Sequence, residues 1–351
     1  MPRGGVRDSV GGRSPKGTGL EVQCTINGTA HDLRRGKMRV RQTTLNHPVS
    51  MSGIGVHSGL PVHLVLKPAP AETGIVFRRT DLAKGHPAGA DVVAARFDAV
   101  SDTRLGTTIT NAHGTSVSTV EHLLAALVGL GVDNAEIEID APEVPIMDGS
   151  AAPFVFLIEC AGLRTLPVLR RVLKIVKPVM VEEQGKRAEL LPYDGFAIDL
   201  EINFSSAAVR RQRFEITLND PAAFKAQVAR ARTFGFLHEV EYLRSQGLAR
   251  GGSLENAVVI DGDVVLNKEG LRFSDEFVRH KVLDVIGDLA LAGAPVMGRF
   301  RGSCSGHGLN NRLLRAVFAS PESFTLTVPD MAAAAKTRAP LPRAVGLAVS
   351  A

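Results

Sequence analysis

Residues 274–288 read SDEFVRHKVLDVIGD, and their pattern predicts a helix with two different faces. Ser274 is expected to cap this helix, with two acidic residues in its positively polarised first turn. At 100° per residue, one face is aliphatic and the opposite face is polar. The aliphatic face consists of Val278, Val282, Val285, Ile286 and Leu289, and the polar face of His280, Asp284, Gly287 and Asp288. The segment therefore predicts a helix, extending to about residue 292, that buries its aliphatic side and carries candidate functional side chains on its polar side.

The polar face of this helix carries a candidate metal-binding pair. His280 and Asp284 are four residues apart, so their Cβ atoms are expected to lie about 5–6 Å from each other. That arrangement suits two ligands of one metal ion. A solvated helix face carrying an ordinary His–Asp pair has the same spacing, and on spacing alone it is the more common explanation.

A second helix is predicted over residues 119–130, within the sequence STVEHLLAALVGL that starts at Ser118. Leucine and valine side chains form its core stripe. His122 lies on the other side with small residues, Ala125, Ala126 and Gly129, which would let another element approach closely. Glu121 could act as a base beside a ligand, or it could close a capping box with Ser118. The segment alone favours the capping box.

Two shorter segments add candidate polar groups. Residues 303–311, SCSGHGLNN, place His307 between two glycines, which permit unusual backbone angles and close approach to a ligand. An exposed, uninvolved histidine is the commoner role of a single loop His. Residues 231–236, ARTFGF, contain Thr233, which could be a hydrogen-bond donor or simply a helix-terminal hydroxyl.

The pattern along the chain suggests two successive units, each with strands followed by helices. The first has strand-like segments at 61–66, 74–79 and 134–139 and helices at 119–130 and 151–161; the second has strands at 173–181, 188–191 and 197–204 and helices at 222–230 and 274–292. A hairpin at 257–267 turns at Asp261-Gly262. We predict a disordered extension over residues 1–37, a first domain over 38–168, a second over 169–325 with an insertion at about 247–267, and a tail over 326–351.

Composition excludes several classes of protein. The 351-residue chain is 44% hydrophobic and 22% charged, as expected for a globular protein. Of its net charge of +5, residues 1–37 contribute +4 and the remaining residues +1, so the body has no large basic footprint for nucleic acid. Three cysteines, Cys24, Cys160 and Cys304, argue against a disulfide framework. No 18-residue apolar run exists, so we expect a cytoplasmic protein without stable membrane insertion.

Together these segments resemble the UDP-3-O-acyl-N-acetylglucosamine deacetylase family, the zinc enzymes of lipid A biosynthesis in Gram-negative bacteria. The resemblance spans about residues 39–318 and is carried by STVEHL at 118–123, APEVPIMDGSAAPF at 141–154, ARTFGF at 231–236, LRF at 271–273 and FVRHK at 277–281. It implies an α+β fold of two domains with similar topology, each a small sheet layered with helices. The helix layers would pack together with the active site between them.

The resemblance also implies the chemistry of the site. The family's Zn²⁺ ligands correspond to His122, His280 and Asp284, leaving the fourth position for water. Glu121 would accept a proton from the attacking water, and His307 would stabilise the developing charge or protonate the departing amine. The resemblance assigns two further roles: Asp288 would orient and charge His307, and Thr233 would share the oxyanion with the metal.

The implied small-molecule substrate is an acylated UDP-amino sugar, which would yield acetate and the corresponding glucosamine. Lys281, with Lys186, would bind its anionic part, Phe204 would pack near the nucleotide, and the insertion at 247–267 would line an apolar passage for the acyl chain. Gly106 and Thr107 fall in a variable stretch of the first domain's insertion, a departure from the family pattern that casts no doubt on the implied chemistry. We expect a monomer. Two alternatives stay open: a hydrolase of the same fold that acts on another acylated sugar nucleotide, and a metal-free binding protein, against which the presence of all the site residues argues.

Overall fold

The computed structural model describes residues 40–82 and 87–329. The predicted extension over residues 1–37, Cys24, and the tail beyond residue 329 lie outside the described residues. Within the described part, no helix combines the length and the apolar character needed to cross a bilayer.

The first half of the fold is a five-stranded sheet with two helices. Its sheet has the order β2-β3-β9-β4-β5, while β6, β7 and β8 form a small separate sheet and β1 pairs with β10. The strand β9 has the sequence AEIEI with alternate residues buried, as expected for a strand with one face on the core. The elements are β1 (Arg41–Leu45), β2 (Val49–Ile54), β3 (Pro61–Pro68), β4 (Ile75–Arg79), β5 (Val92–Ala94), β6 (Val100–Asp102), β7 (Thr108–Thr110), β8 (Ser116–Val117), α1 (Glu121–Leu130), β9 (Ala135–Ile139), α2 (Ala152–Ala161) and β10 (Leu163–Leu169).

The second half repeats this plan around a seven-stranded mixed sheet. Its central strands run in the order β12-β13-β19-β11-β20, and β14 joins β19 to β15. The strands β16, β17 and β18 form a separate small sheet beside α4. The elements are β11 (Val172–Ile175), β12 (Val179–Glu183), β13 (Lys186–Leu191), β14 (Phe196–Asn203), β15 (Arg211–Thr217), α3 (Pro221–Gln227), β16 (Phe234–Phe236), α4 (Leu237–Ser245), β17 (Val258–Asp261), β18 (Val264–Val265), α5 (Glu276–Ala290), β19 (Val296–Ser303), α6 (His307–Ala319) and β20 (Phe324–Thr327).

The expected α+β class is confirmed, and the helices of the two halves meet in the middle of the molecule. Helix α1 packs against α5, and α5 also packs against α6 and against β14 and β15. Eight of the ten residues of α1 are buried, so the helix has almost no solvent-facing side. The division into domains at residues 168 and 169 stays a prediction.

A glycine allows the central helices to approach closely. A Cβ atom at Gly287 of α5 would lie 2.0 Å from the carbonyl oxygen of Glu121 in α1, a distance that no side chain can occupy. The close approach at this crossing therefore depends on the glycine of the longer helix. The predicted small-residue face of α1 also permits close packing, because the Phe224 ring of α3 lies against Gly129.

Replacement of Gly287 by alanine is expected to destabilise the protein by about 1–3 kcal/mol, because the helices must separate to admit the methyl group. Urea unfolding followed by circular dichroism measures this change. Gly308→Ala is the matched control: residue 308 is also helical, and its Cβ would meet only the Thr103 side chain, at 3.2 Å from the hydroxyl. Equal stability of the two variants would contradict the close-packing role of Gly287.

Three details of the predicted elements are wrong. The segment 173–181 is two strands, since Pro178 between them has no backbone donor. Helix α5 begins at Glu276, with Asp275 rather than Ser274 at the N-cap position. The hairpin turns at residues 262 and 263, because Asp261 pairs with Val264. The insertion at about 247–267 stays a prediction.

Candidate metal centre and active site

Three predicted ligands meet where α1 and α5 cross. His122 is the second residue of α1, and His280 and Asp284 lie one turn apart on α5. The Nε2 atoms of the two histidines lie 3.6 Å and 3.4 Å from Oδ1 of Asp284, respectively. One donor atom from each residue falls within 4.8 Å of the others, and all three side chains are buried. The predicted polar face of α5 is therefore not a solvated one.

The donor set fits a metal ion. Oδ1 of Asp284 is buried and has no hydrogen-bond partner within the described residues. A buried carboxylate oxygen without a hydrogen-bond partner destabilises the folded protein. The position of Oδ1 near two imidazole nitrogens therefore indicates that it can coordinate a cation. Nδ1 of His280 lies 3.1 Å from the Ala231 carbonyl oxygen. A bond of that kind directs Nε2 towards the cluster, as in most metal-ligating histidines.

The protonation states of the ligands also suit metal binding. Burial lowers the pKa of His280 to about 4, which leaves the imidazole neutral at pH 7. Burial alone would raise the pKa of Asp284, but the neighbouring positive charges, above all Lys281, outweigh it and hold the pKa well below its usual range. A neutral imidazole and an ionised carboxylate are the forms that coordinate a metal.

Glu121 is the first residue of α1 and does not form a capping box. Val120 occupies the N-cap position without a side-chain bond, and the Ser118 hydroxyl donates to the Pro142 carbonyl instead. Oε2 of Glu121 accepts a hydrogen bond from the backbone N–H of Thr107 at 3.0 Å. Burial raises the pKa of Glu121 above its usual range. A buried carboxylate with a raised pKa beside a candidate metal centre is well suited to act as a base.

His307 pairs with Asp288 next to Asp284. It is the first residue of α6, and its Nδ1 lies 2.9 Å from Oδ2 of Asp288, while its Nε2 lies 3.9 Å from Oδ2 of Asp284. Burial alone would lower the pKa of His307, but the Asp288 carboxylate outweighs it and raises the pKa to about 9. The imidazole is therefore protonated at pH 7, the form that can donate a proton.

Thr107, to which the sequence analysis assigns no role, contacts two of the predicted site residues. Its hydroxyl donates to Oδ1 of Asp288 at 2.7 Å, in addition to the bond from its N–H to Glu121. Asn310 was not singled out either, and its Nδ2 donates to Oδ2 of Asp288 at 2.8 Å. Thr107 lies in a loop, and Asn310 lies 22 positions from Asp288 on another helix. No local periodic pattern therefore connects either residue with Asp288.

Lys281 contacts a candidate ligand, and Thr233 lies shortly after Ala231, whose carbonyl oxygen contacts Nδ1 of His280. The N–H of Thr233 donates to the Gly149 carbonyl at 2.8 Å and its carbonyl accepts from Val258, which fixes the residue between the two halves of the fold. Its half-buried hydroxyl makes no hydrogen bond within residues 40–82 and 87–329. Nζ of Lys281 lies 2.7 Å from Oδ2 of Asp284, so this ammonium group pairs with a ligand.

Phe204 and Lys186 lie further out. The Phe204 ring packs on Phe234, with centroids 5.7 Å apart, and Phe234 in turn lies 6.3 Å from the His280 ring. Phe204 is thus one ring removed from a ligand. Lys186 is exposed at the start of β13, and among the described residues it has no hydrogen bond or ion pair with the cluster. The site brings together every predicted residue except these two.

The fold and the site are typical of a metal-dependent hydrolase: a candidate metal centre lies between two helix layers, with a buried carboxylate and a protonated histidine in the same cluster. A sequence model of the UDP-3-O-acyl N-acetylglycosamine deacetylase family matches residues 42–319. The chain is 54% identical over 284 residues to UDP-3-O-acyl-N-acetylglucosamine deacetylase from Phenylobacterium zucineum (strain HLK1), covering 81% of this chain and 95% of the relative. Proteins of the same name from Vibrio vulnificus (strain YJ016) and Chromobacterium violaceum are each 49% identical, covering 82% and 81% of this chain and 93% and 92% of the relatives.

The chain belongs to the UDP-3-O-acyl N-acetylglycosamine deacetylase family. It is accordingly a hydrolase of the deacetylase type.

Proposed function

We propose that this enzyme hydrolyses the N-acetyl group of UDP-3-O-(3-hydroxyacyl)-N-acetylglucosamine, the committed step of lipid A biosynthesis. The products are acetate and UDP-3-O-(3-hydroxyacyl)-glucosamine. The observation that carries the proposal is Oδ1 of Asp284, which has no hydrogen-bond partner among the described residues and lies 3.6 Å and 3.4 Å from Nε2 of His122 and His280. The buried Glu121 carboxylate and the protonated His307 belong to the same cluster. That arrangement supplies a base, an acid and a metal site for one amide bond.

We propose zinc as the metal, held by His122, His280 and Asp284, because two nitrogen ligands and one carboxylate suit Zn²⁺ at a catalytic site. Bound zinc would supply a Lewis acid that polarises the amide carbonyl and favours deprotonation of water near pH 7. A metal-free binding protein of this fold would have no need of the unpartnered carboxylate oxygen.

The chain's own residues would move the protons. Glu121 accepts one from the attacking water as the water oxygen bonds to the acetamide carbon. His307 delivers a proton to the sugar nitrogen when the carbon–nitrogen bond breaks, since an amine leaves readily only when protonated. Asp288 keeps the His307 ring charged and oriented. The Thr233 hydroxyl, which has no hydrogen-bond partner among the described residues, would donate to the developing oxyanion.

Substrate binding would involve the residues around this centre. Lys281 lies at the ligand cluster and can turn towards an anionic group of the sugar nucleotide. Phe204 is proposed to pack near the nucleotide, and Lys186, on the exposed hairpin of β12 and β13, to bind a phosphate. The segment 247–267 would line the passage for the acyl chain. The monomeric state and the cytoplasmic location stay predictions.

The direct test is acetate release from UDP-3-O-acyl-N-acetylglucosamine by the purified protein. We expect release by the zinc-loaded enzyme, loss of activity after treatment with dipicolinic acid, and recovery on addition of zinc. The same assay with another acylated, N-acetylated sugar nucleotide distinguishes the alternative hydrolase. No release from the first substrate with zinc bound, or release only from the second, would contradict the proposal.

A further inference from the structure

Thr107 binds the two proposed proton-transfer carboxylates at once. It lies immediately before β7, in the loop that follows β6. Its carbonyl accepts from the N–H of Val120 at 3.3 Å, next to the start of α1. Its own N–H donates to Oε2 of Glu121 at 3.0 Å, and its hydroxyl donates to Oδ1 of Asp288 at 2.7 Å. A single residue thus connects the base on α1 with the partner of the acid on α5.

The hydroxyl bond determines how the Asp288 carboxylate is turned. Asp288 is only 2% exposed, so its orientation depends on its protein donors rather than on water. Oδ2 accepts from Asn310 at 2.8 Å and faces Nδ1 of His307 at 2.9 Å. With Oδ1 held by Thr107, Oδ2 is directed at the histidine. Loss of the Thr107 hydroxyl would leave Oδ1 with only a long contact to His307, 3.2 Å from Nδ1, and only Asn310 and His307 would then orient the carboxylate.

The backbone bond has a matching effect on the base. Oε2 of Glu121 is occupied by the Thr107 N–H, whereas Oε1 accepts no hydrogen bond from the part of the chain that the structure describes. The free oxygen is therefore the one left to accept a proton. Since both carboxylates are tied to the same residue, their separation is set by Thr107 rather than by two independent side chains.

We propose that Thr107 is a positioning residue for the deacetylation proposed above, on which this inference rests. Its hydroxyl orients the Asp288 carboxylate towards His307, and its backbone N–H orients the Glu121 carboxylate. It acts through these two groups and contacts neither metal nor substrate. The helix crossing alone does not align acid and base; the loop after β6 completes the alignment.

The test is Thr107→Val, which replaces the hydroxyl with a methyl group of similar size and leaves the backbone N–H in place. We expect kcat to fall about 10–100-fold, as is usual when a residue that orients a catalytic or ligating group is lost. KM and zinc content should stay near the wild-type values, because neither substrate nor metal contacts are removed. Thr107→Ser, which retains the donor, should recover activity to within about 3-fold of wild type.

Thr108→Val is the matched control, since the Thr108 hydroxyl makes no hydrogen bond within the described residues and the substitution is the same. It should leave kcat and KM unchanged. A second measurement tests whether Thr107 acts through Asp288. In an enzyme that already carries Asp288→Asn, the added Thr107→Val substitution should lower kcat less than about 2-fold, because the bond it removes no longer orients a charged partner. If Thr107→Val does not fold, Thr107→Ala is compared in the same two backgrounds.

Four outcomes would overturn the inference while the wild-type enzyme remains active. The first three are an unchanged kcat in Thr107→Val, an equal loss of kcat in Thr107→Val and Thr107→Ser, and a loss of kcat that follows zinc content. The fourth is full additivity of Thr107→Val with Asp288→Asn. Inactivity of the zinc-loaded wild-type enzyme is a different result, since it would contradict the proposed function itself.

Discussion

Glu121→Ala is expected to lower kcat by about 10²–10⁴-fold, the usual contribution of a general base, while the enzyme still binds one zinc ion per chain. The carboxylate accepts only the Thr107 backbone N–H among the described residues, and it is not one of the three clustered donors. Its removal should therefore abolish proton transfer without opening the metal site. Single-turnover kinetics and metal analysis of the same preparation measure both effects.

The comparison variant is His122→Ala, one residue further along α1. This variant should lose activity together with zinc, because it removes one of the three proposed ligands. Glu121→Gln provides a second comparison that keeps the side-chain volume and removes the basic oxygen. Zinc content in Glu121→Ala as low as in His122→Ala would show that Glu121 is a ligand rather than the base.

His307→Gln is expected to reduce kcat by a similar factor of about 10²–10⁴, with little change in KM or zinc content. The side chain lies 2.9 Å from Asp288, which raises the pKa of His307 to about 9 and so keeps the acid protonated at pH 7. Glutamine cannot deliver a proton to the departing amine. Steady-state kinetics with the natural amide substrate measure this loss.

Asp288→Asn completes this test, because the two residues are proposed to act as one unit. The kcat of the His307→Gln, Asp288→Asn double variant should be little lower than that of the less active single variant, since effects within a catalytic unit are not additive. His113→Gln is a suitable control: His113 is exposed in a turn, and within the described residues only its backbone N–H is hydrogen-bonded, to Asn111. Independent, multiplying effects of the His307 and Asp288 substitutions would contradict the pairing.

The helix faces were predictable from sequence because they depend on local periodicity. The aliphatic stripe of α5 and the polar face with His280 and Asp284 follow from the 3.6-residue repeat, and both are present in the structure. The pattern could not reveal that the polar face is buried. The polar face is buried only because α1 packs on it. Gly287 permits this close packing, but a glycine in a helix sequence does not show which other helix will lie against it.

The capping interpretation of Glu121 was wrong because tertiary contacts competed with a local motif. Ser118 bonds to Pro142, and Thr119 has a positive φ of 57° just before the helix, so α1 starts three residues after Ser118. The Glu121 side chain, which a capping box would have used, accepts from the Thr107 N–H instead. The motif is ambiguous in sequence, and only the fold resolves it.

Thr107 could not be predicted for a different reason. Its partners lie 14 and 181 positions away, and the residue itself is an ordinary threonine at the end of a loop. Such a role depends on where three elements converge, which single-sequence periodicity does not encode.

Anomalous X-ray diffraction from crystals of the zinc-loaded enzyme, collected on both sides of the zinc absorption edge, tests the central claim most directly. We predict one strong zinc peak between α1 and α5, about 2.0–2.2 Å from Nε2 of His122, Nε2 of His280 and a carboxylate oxygen of Asp284. The absence of a peak at these three residues in crystals of active enzyme, or a peak bound by other side chains, would contradict the account.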